Sequence, residues 1–151
     1  MKTKDLTLIA MVAAIYATLT ILIAPAAYGP LQFRFSEILK PLALKGKLYI
    51  YGLTLGLFVA NLFSPYVSPW ELVWMPMVCL MGGFIAYALR RAPLLAVSVY
   101  SFIIAGGVSV VLLAVLGLPM WATFPGIFIS ELILMTAGIG LIEGIFRRLQ
   151  R

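Results

Sequence analysis

The stretch Gly29-Pro30-Leu31-Gln32-Phe33-Arg34-Phe35-Ser36-Glu37 separates two apolar segments and decides how the rest of the chain is interpreted. It carries an amide, a guanidinium, a hydroxyl and a carboxylate within six positions, although 64% of the chain is hydrophobic. Ionisable side chains are costly inside a membrane and are usually kept there for a function. We therefore interpret the stretch as a lid over a small-molecule site. The alternative is a polar loop at a helix start, in which Arg34 and Glu37 simply pair with each other.

The composition around this stretch indicates an integral membrane protein. The chain has 151 residues, room for one domain, with a mean hydropathy of +1.11 and a charged fraction of 11%. An ordinary soluble protein has about twice that charged fraction. The apolar segments are also too long and continuous for the alternating strands of a membrane barrel. We therefore predict an all-α protein, a single membrane domain over residues 1–151 with six transmembrane helices.

The predicted helices cover residues 6–24, 36–45, 48–63, 70–89, 94–116 and 125–146. The second is expected to be short or bent, because it contains Pro41 and carries both Glu37 and Lys40. Glycine pairs four residues apart, Gly52 with Gly56 and Gly140 with Gly144, predict two faces where another helix packs closely.

The basic residues set the expected orientation. With six spans, one side of the membrane carries Lys2, Lys4, Lys45, Lys47, Arg90, Arg91, Arg147, Arg148 and Arg151. The loops on the other side carry only Arg34, so the positive-inside rule places both termini in the cytoplasm. The pI of 9.7 does not point to nucleic-acid binding, because the basic residues lie in small groups between apolar segments. In that arrangement they indicate the orientation of the helices in the membrane.

The remaining polar groups gather at the predicted outer ends of the helices and form a candidate binding site. Glu131 has no basic residue nearby in sequence, although it could simply be protonated or hydrogen-bonded to a neighbouring helix. Glu71 lies between Trp70 and Trp74, although it could be only a carboxylate at the level of the lipid headgroups. Aromatic walls with a few carboxylates suit a flat molecule that is cationic or carries amides. The candidate substrate-binding residues are Gln32, Arg34, Glu37, Asn61, Trp70, Glu71, Trp74 and Glu131.

Catalysis, a metal site and a cofactor are not expected. The chain has no histidine and a single cysteine, Cys79, and its spans contain no nucleophile with an obvious base. It also lacks the GxxxxGK[ST] motif of P-loop ATPases. An ion channel would need rings of polar groups along a pore, whereas here they cluster on one side. These features favour a substrate-capturing membrane subunit that another protein drives.

Several short motifs resemble one known family. They are Tyr16-x-x-Leu19-Thr20, Gly29-Pro30-x-Gln32-Phe33-Arg34-x-Ser36-Glu37, the Gly52 and Gly56 helix, and Asn61-Leu62. Together they resemble the QueT family, substrate-binding S components of energy-coupling factor (ECF) transporters assigned to the uptake of queuosine precursors. Beyond residue 68 the chain departs from the glycine-rich helix start expected of the family and reads Pro69-Trp70-Glu71-Leu72-Val73-Trp74-Met75-Pro76.

The resemblance implies a six-helix S component in a prokaryotic cell membrane, without enzymatic activity. It would bind a 7-deazapurine, such as the aminomethyl-deazaguanine preQ1, from outside and associate with a T component and two ATPase subunits. In S components, small residues of the first helix form the docking face, which maps here onto Ala10, Ala13, Ala14 and Ala17. The alternatives are an S component for another vitamin-like heterocycle and a small helical membrane protein with an assembly role.

Overall fold

A computed structural model describes residues 2–23 and 34–149 of the protein. All regular secondary structure in these residues is helical, which confirms the all-helical prediction. The elements are α1 (Thr3–Leu22), a 3₁₀ helix (Phe35–Lys45), α2 (Lys47–Asn61), α3 (a π-helical turn, Trp70–Trp74, continued by Met75–Ala88), α4 (Pro93–Leu116) and α5 (Met120–Leu149).

Within residues 2–23 and 34–149, four helical segments are long and apolar enough to cross a membrane, which confirms a multi-pass membrane protein. They are Thr3–Leu22, Trp70–Ala88, Pro93–Leu116 and Met120–Arg148. Helix α2 has 15 residues and the 3₁₀ helix has 11, so each is only about 22 Å long. The hydrocarbon core of a bilayer is about 30 Å thick. Six spans and cytoplasmic termini therefore stay predictions.

The second predicted helix is a 3₁₀ helix instead of an α-helix. Pro41 lies inside it and cannot donate a backbone hydrogen bond. A 3₁₀ helix has three residues per turn, so side chains at every third position lie above one another. Arg34, at the N-cap position, therefore lies in one row with Glu37 and Lys40, and all three are buried.

Helix α3 begins with one wide turn that the sequence did not predict. The backbone N–H of Met75 donates to the carbonyl of Trp70, five residues back. Pro76 has no N–H to give to Leu72 and its ring crowds that carbonyl, which favours a locally widened helix. Within this turn Glu71 is buried, whereas Trp70 and Trp74 are partly exposed.

The last helix begins at Met120, five residues before its predicted start. Pro125 lies in its second turn, where it removes one hydrogen bond without ending the helix. The other predicted boundaries lie within three residues of those observed, except residue 24, which is outside the described residues.

Glycines bring helix backbones into close contact at two places. A Cβ on Gly56 would lie 2.8 Å from the carbonyl oxygen of Ala13, so α2 packs directly on α1. A Cβ on Gly138 would overlap the carbonyl oxygen of Ile38, so α5 packs on the 3₁₀ helix. Gly140 and Gly144 have nothing within 4 Å of such a Cβ. The close-packing face predicted for that pair is therefore wrong within the described part of the chain.

Candidate functional site

Arg34, Asn61 and Glu71, here called the rim triad, join three separate segments. Arg34 Nη1 donates to Asn61 Oδ1 at 3.1 Å, and Asn61 Nδ2 donates to the backbone carbonyl of Glu71 at 2.8 Å. Arg34 Nη2 also lies 3.8 Å from Glu71 Oε1 as an ion pair. All three side chains are buried. The rim triad therefore ties the start of the 3₁₀ helix to the end of α2 and the start of α3.

A second cluster, the inner cluster, consists of Tyr16, Glu37, Lys40 and Glu131. The Tyr16 hydroxyl donates to Glu37 Oε1, and Lys40 Nζ lies 2.5 Å from Glu37 Oε2. The Lys40 ammonium also lies 5.2 Å from the centroid of the Tyr100 ring, within the range of a cation–π interaction. Each carboxylate oxygen of Glu37 therefore has its own partner: Tyr16 of α1 on Oε1, and Lys40, one turn further along the 3₁₀ helix, on Oε2.

The motif residues of α1 meet the motif residues of the 3₁₀ helix directly. Tyr16 and Thr20 are one turn apart, and Thr20 Oγ1 lies 2.6 Å from Ser36 Oγ while Tyr16 reaches Glu37. Thr20 Oγ1 also lies 3.0 Å from the Tyr16 carbonyl oxygen, to which it donates, so the Ser36 hydroxyl can donate to Thr20. Two of the motifs that carried the family resemblance are thus joined by buried polar contacts.

Glu131 is the member of the inner cluster that also interacts with the rim triad, through Arg34. It lies on α5, about 16 Å from the start of that helix, and is only 2% exposed. Its carboxyl group interacts electrostatically with Glu37, Lys40 and Arg34. Within the described residues, its Oε2 has no hydrogen-bond partner.

The buried charges do not balance. In the part of the chain that the structure describes, two buried cations, Arg34 and Lys40, stand against three buried carboxyl groups, and the ion pairs assign Glu71 to Arg34 and Glu37 to Lys40. An unpaired buried carboxylate is strongly disfavoured. Glu131 must therefore hold a proton or accept a positively charged or hydrogen-bond-donating group.

The structure brings together five of the eight predicted binding residues, Arg34, Glu37, Asn61, Glu71 and Glu131. Trp70 and Trp74 lie elsewhere: their rings pack edge to face at 6.4 Å, and Trp74 Nε1 donates to the Gly107 carbonyl of α4 at 3.2 Å. Both tryptophans are partly exposed. Gln32 lies outside the described residues.

Two members of the inner cluster were missed as site residues. Lys40 served only to predict a short or bent second helix, and Tyr16 served only as a family marker. The spacing of three between Arg34, Glu37 and Lys40 was the available signal, since a 3₁₀ helix places all three on one face.

The four alanines proposed for docking do not share one face. Ala13 and Ala17 are buried, whereas Ala10 and Ala14 are exposed. A shallow groove of about 270 Å³ is lined by Ala14, Ile15, Thr18 and Leu19. A partner could therefore reach Ala10 and Ala14 but not Ala13 and Ala17, and the docking role itself stays a prediction.

Comparisons with known proteins agree with the motifs. The family model described as QueT transporter matches residues 6–147. A curated relative, the queuosine precursor transporter QueT of Lactococcus lactis subsp. cremoris (strain MG1363), is 43% identical over 65 residues. That alignment covers 42% of this chain and 38% of the relative, so little more than a third of the relative's length is matched. No solved structure matches the chain.

Proposed function

The chain belongs to the QueT transporter family, and from this premise we propose that it is the substrate-capturing S component of an ECF importer for a queuosine precursor. The family match confirms the resemblance read from the motifs, and it makes the chain a transport protein and not an enzyme. The queuosine precursor is named for the relative from Lactococcus lactis. We extend that substrate class to this chain because its buried polar groups suit the same chemistry.

The observation that carries the proposal is the unbalanced carboxyl group of Glu131. An aminomethyl-deazaguanine such as preQ1 presents a guanine-like edge with several N–H donors and a separate ammonium group. A carboxylate can accept two such donors at once, and charge-assisted bonds of this kind are roughly twice as strong as neutral ones. Glu131 supplies the carboxyl group that forms no ion pair among residues 2–23 and 34–149.

The two clusters have different tasks in this proposal. The inner cluster fixes the position of Glu37 through Tyr16 and Lys40, so that a ligand meets a carboxylate that is already oriented. The rim triad places the guanidinium of Arg34 beside that region, where its plane can stack on a heterocycle. Gln32 would complete the contacts from the preceding stretch.

The energy for transport would come from partner proteins. We propose that a T component docks on the exposed stripe of Ala10, Ala14 and Thr18, because small residues four apart allow close approach of another helix. Two ATPase subunits would hydrolyse ATP, for which this chain carries no P-loop. In this arrangement six segments lie in the cell membrane, both termini are cytoplasmic, and the rim triad faces outward.

Native mass spectrometry of the detergent-purified protein tests the proposal. A heterocycle that co-purifies at one molecule per chain, with the mass of a queuosine precursor, is the expected result. A different vitamin-like mass would support the alternative S component. A ligand-free homo-oligomer that does not bind added preQ1 would contradict capture and support an assembly role.

A further inference from the structure

A cleft lies at the end of the bundle opposite the rim triad, where the 3₁₀ helix ends and α4 begins. It encloses about 160 Å³ and lies between Lys45, Arg90 and Glu143, over an apolar lining of Leu44, Ile139 and Ile142. That volume corresponds to about five water molecules at their volume in the liquid, enough space for a phosphate group. The cleft therefore combines charge at its edge with an apolar wall.

The charge at this edge is positive. Glu143 already has a cation, because Arg147 Nη2 lies 3.7 Å from its Oε2. Lys45 and Arg90 form no ion pair within the described residues. Each rests on an aromatic ring instead: the Lys45 ammonium lies 5.5 Å from the Phe146 centroid, and the Arg90 guanidinium 4.2 Å from that of Tyr87.

We propose that this cleft binds the phosphate of an anionic phospholipid. The two cations can contact the phosphate, and the apolar wall can contact the start of an acyl chain. Basic pockets between membrane helices bind anionic headgroups for this reason, and each cation near such a surface contributes roughly 1 kcal/mol, about fivefold in affinity. The inference depends on membrane insertion and not on the substrate, since the cleft shares no residue with the rim triad or the inner cluster.

Native mass spectrometry with added lipid tests the inference. The wild-type protein should retain phosphatidylglycerol in preference to phosphatidylcholine with the same acyl chains. The double variant Lys45→Gln/Arg90→Gln should lose affinity for phosphatidylglycerol by about 25-fold, the product of two cations. Equal retention of both lipids by the wild-type protein would overturn the proposal.

Two neighbouring cations, Lys47 and Arg91, provide a matched control for Lys45 and Arg90. Lys47 and Arg91 are exposed and do not line the cleft, so Lys47→Gln/Arg91→Gln removes the same charge without removing the site. This control should keep the lipid preference. An equal loss in both double variants would show that net charge, and not the cleft, selects the lipid. The charge-preserving variant Lys45→Arg/Arg90→Lys should retain binding.

A free phosphate compound could meet the same two cations. Glycerol 1-phosphate carries the phosphate without acyl chains, so its binding to the same protein separates the two sources. Weak binding of glycerol 1-phosphate beside strong retention of phosphatidylglycerol supports the lipid. Equal binding of both compounds would assign the cleft to a soluble phosphate and overturn the lipid proposal.

Discussion

Three buried polar side chains converge on Glu37. Tyr16 donates to one of its oxygens, Lys40 pairs with the other, and Glu131 interacts with it from α5. The sequence could predict Glu37 and Glu131 as unusual, because each is an acidic side chain in a mostly apolar segment. It could not predict their partners, since the pairing depends on distances between helices far apart in the chain.

Replacing Glu131 by Gln should weaken binding of preQ1 at least about fivefold, or roughly 1 kcal/mol, because a charge-assisted contact becomes a neutral one. Titration calorimetry of the purified protein measures the affinity. Glu143→Gln is the matched control, since it removes a carboxylate from the same helix outside both clusters and should leave binding unchanged. Equal affinity of Glu131→Gln and the wild-type protein would remove Glu131 from the site.

Replacing Lys40 by Met should lower the free energy of unfolding by about 3 to 5 kcal/mol, because Glu37 is left as a buried carboxylate without its cation. Thermal unfolding in detergent should show a lowered midpoint. Lys47→Met changes an exposed lysine and should stay within about 0.5 kcal/mol of the wild type. Adding Glu37→Gln to Lys40→Met should recover part of the loss; no recovery would show that the ion pair is not the cause.

The 3₁₀ helix is the element that decides which side chains meet. Its short row of Arg34, Glu37 and Lys40 exists only because the period is three; in an α-helix the same residues would drift around the axis. The sequence indicated a short, interrupted helix through Pro41, but the choice of 3₁₀ over α depends on packing. That packing includes Gly138 of α5, which admits the backbone of Ile38.

Two glycines of α5, one at this contact and one away from it, should respond differently to replacement by alanine. Gly138→Ala places a Cβ on the carbonyl of Ile38, so it should lower stability by about 1 to 3 kcal/mol, as overpacking does. Gly140→Ala meets open space within the described structure and should leave the unfolding midpoint unchanged or slightly higher. Thermal unfolding of both variants checks this, and equal midpoints would contradict the close contact.

At the scale of the whole molecule, the sequence predicted six helical segments, and in the structure Lys45 and Arg90 line one cleft at one end of the bundle. Such features follow from hydropathy and charge, which act locally along the chain. Hydropathy and charge did not predict that Ala13 and Ala17 are buried while Ala10 and Ala14 are exposed. That difference depends on where Gly56 allows α2 to approach α1.

One enlarged side chain on the exposed part of that alanine stripe tests whether it is the docking face. Ala14→Leu should reduce association with the T component at least about tenfold, since it fills a face that needs close helix approach, and should leave preQ1 binding intact. Co-purification of the complex measures this. Ala114→Leu makes the same change at an exposed position of α4 and should not affect association. Lost preQ1 binding with preserved association would reverse the assignment.

The contact between Gly138 and the 3₁₀ helix also bears on biogenesis. During synthesis the 3₁₀ helix leaves the ribosome nearly one hundred residues before Gly138 does. With Glu37 and Lys40 in eleven residues, this segment gains little from lipid alone. We therefore expect its stable insertion to wait for the last helix, with the translocon or an insertase sheltering the segment until then.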